Sequence, residues 1–309
     1  MQGYLASLFS LSAIMAFLAL AYALDSLMCL ALWVILWRVR VKASVASALF
    51  TAVNTACMFI PLLSLFILSL TYYGGSQAFM EFMISWLRVD VRVVMMFLAA
   101  PVPPIVALII YVEVAKVLNV LEVSKLKREI GIEGFASLNA IRVLGAGYAA
   151  GVTVNALAAI GEEIGWRSYL TPALIKHVGL VAAIVIVGIV WGLWHIPGNL
   201  AVRPIIERLL PWVTFRLMLL SSVVSSVILS YPLYLLLAVS HSVLPPAAFH
   251  GTINALWRIP QFVTKVSDKH RCRDVGKVTL ASSIAWGVAV VLTLGLVSLI
   301  SSILVQART

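Results

Sequence analysis

This sequence contains few charged residues. Only 11% of its 309 residues are charged, whereas a soluble domain is normally about a quarter charged. Hydrophobic residues make up 62% of the chain, and the mean hydropathy is +1.07. This balance excludes an ordinary soluble protein, because most of the surface must face lipid. We therefore predict an integral membrane protein with helical spans, since lipid offers backbone amides no other partner.

Cysteine is scarce as well, and several familiar motifs are missing. Cys29, Cys57 and Cys272 have no paired spacing, which predicts neither a disulfide framework nor a cysteine-based zinc site. The first apolar run has no basic segment before it, so we interpret it as a span and not as a signal peptide. The chain also lacks a serine nucleophile elbow, an HExxH helix and an internal repeat.

Long apolar runs dominate what is present. About 20 apolar residues are needed to cross the hydrocarbon core. Several runs exceed this length, and eight spans fit the sequence best. The predicted spans are 8–36, 45–72, 93–121, 148–175, 180–197, 215–238, 241–257 and 278–305. The fold prediction is thus all-α: a polytopic bundle of about eight transmembrane helices, forming a single domain over residues 1–309.

Three details of these spans carry further expectations. Asp25 lies within the first span, so it is expected either near a helix end or facing the bundle. Pro101, Pro103 and Pro104 should kink or break the third span. In the fourth span, Gly147 and Gly151 are four residues apart, which would let another helix approach closely.

The basic residues predict the orientation of the chain. The formal net charge is +10, and most of the 22 basic residues fall in four loops on one side, at 38–42, 116–142, 203–216 and 258–277. Basic loops favour the cytoplasmic face, so both termini are expected outside. This charge predicts contact with anionic lipid heads and not with nucleic acid. If the organism is prokaryotic, the membrane is the plasma membrane.

Three short stretches place polar residues inside predicted spans: "GEEIGWR", "WGLWHIP" and "FHGTINAL". Glu163 and Arg167 are four residues apart on a helix and can pair, which leaves Glu162 turned away and free. The same spacing relates Trp191 to His195, and His250 to Asn254. Counting residues from the predicted turns places Glu162, His195 and His250 at similar depths in the inner half of the membrane.

Such a set of side chains fits two kinds of chemistry. A carboxylate beside an imidazole can take a proton from water and make it a nucleophile, while His250 and Asn254 can donate to an oxyanion. Alternatively, Glu162, His195 and His250 match the ligands of catalytic zinc, so Zn²⁺ or another divalent metal stays open. Either arrangement suits amide hydrolysis.

The three motifs together resemble those of the CPBP intramembrane proteases, also called the Abi family, which include the CAAX prenyl endopeptidases. That family has EExxxR, then an aromatic residue followed four positions later by histidine, then HxxxN. This chain shows the same order in Glu162–Arg167, Trp191–His195 and His250–Asn254. One departure is Trp191, where the family usually has phenylalanine.

The resemblance implies a helical membrane bundle whose cavity opens to the cytoplasm, with its catalytic core at about 145–258. It implies that Glu162 is the general base assisted by His195, that His250 and Asn254 stabilise the oxyanion, and that Glu163 and Arg167 support the site. The implied substrate is a peptide, which in the CAAX proteases is prenylated.

Two other functions use the same residues. A proton-coupled transporter could employ the Glu and His side chains as a relay, although inverted repeats would then be expected. A non-catalytic membrane scaffold or immunity protein is the third hypothesis, which the intact set of motif residues argues against.

Overall fold

The computed structural model describes residues 8–38, 43–72, 75–131, 137–209 and 213–306. Within these ranges the secondary structure is helical, and the one extended pairing is an isolated bridge between Leu121 and Thr264. The predicted all-α fold is therefore confirmed. Parts of three predicted basic loops, at 39–42, 132–136 and 210–212, lie outside the described residues, as does Arg308.

The helices follow one another closely along the chain. In order they are α1 (Leu11–Arg38), α2 (Ala43–Cys57), α3 (Ile60–Tyr72), α4 (Gly75–Trp86), α5 (Val91–Ala99), α6 (Val102–Val117), α7 (Val123–Ile130), α8 (Leu138–Gly151), α9 (Val154–Glu163), a π-helix (Ile164–Leu170), α10 (Thr171–Val178), α11 (Leu180–Trp194), α12 (Ile196–Leu209), α13 (Phe215–Ser240), α14 (Leu244–Leu256), α15 (Arg258–Val263), a 3₁₀ turn (Asp268–His270) and α16 (Arg271–Gln306).

These elements form two compact units, which are described separately. The first unit comprises Met1–Arg88, Ala158–Leu237 and His241–Val243. The second comprises Val89–Leu157, Ala238–Ser240 and Leu244–Thr309. The organisation of residues 1–309 as one domain, with a catalytic core at about 145–258, stays a prediction.

In the part of the chain that the structure describes, five helical stretches are long and apolar enough to cross a membrane. They are Leu11–Arg38, Val91–Val117, Leu180–Arg203, Phe215–Ser240 and Asp268–Gln306. Two bent pairs of helices raise the number to seven, and these are Ala48–Cys57 with Ile60–Thr71, and Leu138–Gly151 with Val154–Val178. The segment predicted as a span at 241–257 contains α14, whose 13 residues extend about 20 Å and fall short of a full crossing.

The surfaces of these helices are apolar, as lipid contact requires. Leu27, Val181 and Val305 are 63%, 77% and 65% exposed, and a water-soluble protein would leave few such large side chains uncovered in long apolar helices. The protein is thus an integral membrane protein.

Proline shapes two of the spans, and the break in the third predicted span was expected. Helix α5 ends at Ala99 and α6 begins at Val102, so the break falls beside Pro101. Pro197 lies near the start of α12, just after the helix is interrupted at His195. The chain then continues as a helix to Leu209, well past the predicted end of that span at residue 197.

In the second unit, α8 and α14 pack with their backbones close together. A Cβ added at Gly147 would overlap the Leu256 side chain, and one added at Gly151 would overlap Thr252. Small residues four apart therefore permit this approach, as the sequence predicted. The consequence is that α14, which carries His250 and Asn254, is seated directly on α8.

Candidate active site

The two carboxylates of the first motif end helix α9, and a π-helix follows at once. Glu162 and Glu163 occupy the last turn of α9, and Ile164–Leu170 forms the π-helix, all of whose residues are buried. The Thr171 hydroxyl donates to the Trp166 carbonyl five residues earlier, at 2.7 Å. Such wide turns are rare and often mark functional sites. The sequence had predicted a continuous α-helix over 148–175.

Glu163 and Arg167 form the ion pair expected from their spacing. Arg167 Nη1 lies 3.3 Å from Glu163 Oε1, and both side chains are fully buried. The guanidinium carbon also lies 3.9 Å from the centre of the Trp191 ring, within the range of a cation–π interaction. The arginine is thus held between a carboxylate and an aromatic face.

Glu162 is held by a different group. The indole Nε1–H of Trp191 donates to Glu162 Oε2 at 2.6 Å, and the glutamate is only 3% exposed. A short bond of this kind to an ionised acceptor is among the stronger hydrogen bonds in proteins. The four-residue spacing predicted only that Trp191 and His195 share a helix face, and the role of Trp191 as a donor was missed.

The orientation of His195 follows from its backbone contact. Its Nδ1 lies 2.8 Å from the Trp191 carbonyl oxygen, and because a carbonyl only accepts, Nδ1 must carry the proton. In the neutral ring the lone pair is then on Nε2. The rings of Trp191 and Trp194 lie 5.9 and 5.4 Å from the imidazole, so aromatic walls limit its rotation.

Helix α1 packs against the π-helix and against the end of α11 in the first unit. The Phe17 ring packs on Trp166 at 5.6 Å, and Trp166 packs on Trp194 at 5.7 Å. The Trp194 indole donates to the Ala21 carbonyl at 3.3 Å. A chain of rings therefore links α1 to the π-helix and to the residue before His195.

The first motif also packs closely against the junction of α2 and α3. A Cβ added at Gly161 would lie 2.5 Å from the Met58 carbonyl oxygen, and one added at Gly165 would overlap Pro61. Met58 and Phe59 lie at the 40° bend between α2 and α3. The motif "GEEIG" can lie against this bend because both of its ends lack a side chain.

The remaining motif residues, His250 and Asn254, belong to the second unit. His250 is 4% exposed, while Asn254 is exposed. The Asn155 amide donates to the Gly251 carbonyl at 3.2 Å, next to His250. The convergence of His250 and Asn254 with Glu162 and His195 in one pocket stays a prediction, and so does a metal held by Glu162, His195 and His250.

Among the described residues, one group of three potential metal ligands has its donor atoms within 4.8 Å of one another. It consists of Asp25, Cys29 and Cys57, all buried. Asp25 therefore faces the interior, one of its two predicted locations. The proximity of the two cysteines was not predicted, because they lie on different helices and their spacing follows no motif.

A comparison with known protein families found a match that includes all three motifs. Residues 145–256 match the family described as type II CAAX prenyl endopeptidase Rce1-like. This segment is about a third of the 309-residue chain. The resemblance to the CPBP proteases, which was inferred from the three motifs, is thus confirmed. A comparison with curated proteins found no significant match.

The match to the Rce1-like family indicates a general class of activity. It supports a membrane-embedded protease of the CAAX endopeptidase type, which acts on peptides or proteins. The matched segment begins in α8 and ends with α14, so it contains all three motifs. The alternatives of a transporter and of a non-catalytic scaffold gain no support from this match.

Proposed function

We propose that this Rce1-like protein hydrolyses a peptide bond with a water molecule activated by Glu162 and His195. The observation that carries the proposal is the 2.6 Å hydrogen bond from Trp191 to Glu162. It joins the first motif to the second, so that the carboxylate lies beside the helical turn that ends at His195.

Glu162 is suited to be the base. Its Oε2 is engaged by the Trp191 indole, which leaves Oε1 to take the proton of water. The side chain is buried, and a general base in such surroundings contributes about 10²- to 10⁴-fold to a rate.

His195 assists through Nε2. Because Nδ1 donates to the Trp191 carbonyl, Nε2 is an acceptor that can hold and orient the attacking water. The water oxygen attacks the carbonyl carbon as Glu162 takes the proton. The C–N bond then breaks, and the proton passes from Glu162 to the leaving amine nitrogen.

The oxyanion formed in this step needs donors, a role that the resemblance to the CPBP proteases assigns to the third motif. His250 and Asn254 are four residues apart on α14 and so project from one side of it. The loss of a single oxyanion donor typically lowers a rate by about 10²- to 10³-fold. Glu163 and Arg167 have a supporting role, in which their buried pair and its contact with Trp191 fix the base.

The substrate we propose is a prenylated C-terminal peptide of the CAAX type. Its lipid would lie in the membrane, and its peptide would enter from the cytoplasmic side, where the basic loops are predicted. The exposed apolar side chains of the helices suit an isoprenoid that approaches through the bilayer.

A metal-dependent variant of the same reaction would use Glu162, His195 and His250 as ligands. Carboxylate and imidazole groups are ordinary ligands of catalytic zinc, which activates water at neutral pH. Metal analysis of the purified protein and inhibition by chelators distinguish this mechanism from direct action of Glu162.

The test is cleavage of a farnesylated peptide by the full-length protein in detergent. We expect Glu162→Gln and His195→Ala to lower kcat by about 10²-fold or more. Glu113→Gln is the matched control, because Glu113 is an exposed carboxylate on α6 paired with Lys116 at 3.9 Å. If Glu162→Gln cleaves the peptide as fast as the parent protein, the proposed mechanism is wrong.

A further inference from the structure

Three side chains outside the proposed machinery meet inside the first unit. Asp25 and Cys29 are four residues apart on α1, and Cys57 is the last residue of α2. The Cys29 thiol lies 3.8 and 3.9 Å from the two Asp25 oxygens. One ligand atom from each of the three residues lies within 4.8 Å of the others, so a single small ion could contact all three.

The cluster includes an acidic residue midway along an apolar helix that is long enough to cross the membrane. Asp25 is the only acidic residue of the 28-residue helix α1, and about 20 Å of helix separates it from either end. It is 3% exposed, and Cys29 and Cys57 are 5% and 6% exposed. An ionisable group at such depth is costly and is normally kept for a function, with a partner nearby.

The neighbouring charges add to the need for a cation. Glu162, a second buried acid, directly follows Gly161, which packs against the residue after Cys57. The buried cation of this region, Arg167, is already paired with Glu163. A positive ion beside Asp25 would balance a local excess of negative charge.

We propose that Asp25, Cys29 and Cys57 bind one thiophilic divalent cation of the zinc type. Two thiolates and a carboxylate are a suitable ligand set, because soft sulfur ligands favour zinc over magnesium or calcium. Zinc–sulfur bonds of about 2.3 Å in a tetrahedral site place the ligands about 3.8 Å apart, close to the separations present here. The two thiol protons leave to solvent when the ion binds.

The ion would stabilise the helices that support the candidate active site, without taking part in catalysis. Cys57 is followed directly by Met58 and Phe59, the residues against which Gly161 packs, and a Cβ added at Gly198 would lie 3.9 Å from the Cys29 sulfur. Gly161 precedes Glu162, and Gly198 follows His195 by three residues. An ion bound here therefore links α1 to α2 where both catalytic segments contact them.

The test is metal binding by the purified full-length protein in detergent, after chelation and under reducing conditions. Cd²⁺ serves as the probe, because its bonds to thiolates give an ultraviolet charge-transfer band. We expect one Cd²⁺ per chain, and a higher melting temperature with Cd²⁺ or Zn²⁺, as binding to the folded state requires. This readout does not depend on peptidase activity, so it stands apart from the proposed function.

Single variants decide whether the cluster is the site. Cys29→Ala, Cys57→Ala and Asp25→Asn should each weaken Cd²⁺ binding by about 100-fold or more, since even second-shell changes cost 10- to 100-fold. Cys272→Ser is the matched control, because Cys272 is exposed and lies on α16. The alanine variants should melt near the parent temperature without metal, because a buried cysteine packs as a small apolar residue.

Three results would overturn the proposal. One is a parent protein that binds no Cd²⁺ and is not stabilised by Zn²⁺. Another is a charge-transfer band that survives in Cys57→Ala or disappears in Cys272→Ser. The third is protein that is isolated with a Cys29–Cys57 disulfide and takes up no metal after reduction.

Discussion

The Trp191 indole donates a 2.6 Å hydrogen bond to Glu162, while the face of the same ring lies 3.9 Å from the Arg167 guanidinium. The Trp191 carbonyl also accepts the Nδ1 proton of His195. A single residue therefore contacts the proposed base, its supporting arginine and its proposed partner. Because phenylalanine is usual at this position in the family that the motifs resemble, the indole N–H is a distinctive feature of this chain.

Trp191→Phe should separate the two roles of this residue. Phenylalanine keeps an aromatic face for Arg167 but cannot donate to Glu162. A hydrogen bond to a charged group contributes about 1.5–3 kcal/mol, so kcat/KM for a farnesylated peptide should fall by about 10- to 100-fold.

Trp194→Phe is the matched control for this variant. The Trp194 indole donates to the Ala21 carbonyl at 3.3 Å, a neutral acceptor at longer range, so its loss should lower kcat/KM by much less. Equal activity of Trp191→Phe and the parent protein would mean that the indole N–H does not position the base.

Local relationships could be predicted from the sequence, because helical geometry alone determines them. The apolar runs indicated helices, and the spacing of Glu163 and Arg167 indicated their ion pair, which is present at 3.3 Å. The close approach of another helix at Gly147 and Gly151 was likewise predicted from small residues four apart, and the structure shows that this helix is α14.

Relationships between distant segments could not be predicted in the same way. The bond from Trp191 to Glu162 spans 29 residues and depends on how two helices are rotated against each other. The π-helix at Ile164–Leu170 has no distinguishing periodicity in so short a stretch. The cluster of Asp25, Cys29 and Cys57 depends on packing between α1 and α2, which composition does not reveal.

Arg167→Met should destabilise the protein strongly. Both members of the Glu163–Arg167 pair are fully buried, and removing one leaves a buried charge that nothing compensates. Breaking such a pair costs about 3–5 kcal/mol of the free energy of unfolding, measurable by unfolding in mixed micelles.

A double variant tests whether the uncompensated charge is the cause. Glu163→Gln combined with Arg167→Met removes both charges, and it should recover part of the loss. Lys116→Met is the surface control, because the Lys116–Glu113 pair is more than half exposed and such pairs add little stability. A double variant less stable than Arg167→Met would contradict this explanation.

Gly161→Ala should impair catalysis through the backbone, because the glycine precedes Glu162 and lies directly against the Met58 carbonyl. The added methyl group would lie 2.5 Å from that oxygen, so the end of α9 must shift away and carry Glu162 with it. A displacement of about 1 Å in a catalytic group can lower a rate by about 10²-fold, and kcat on the farnesylated peptide measures this.

Gly287→Ala is the matched control, since Gly287 lies within α16 with open space beside it, and alanine there should raise stability by up to about 1 kcal/mol. Full activity of Gly161→Ala would show that the contact with Met58 does not determine where the base lies, whereas loss of activity in both variants would point to a general effect of alanine in membrane helices.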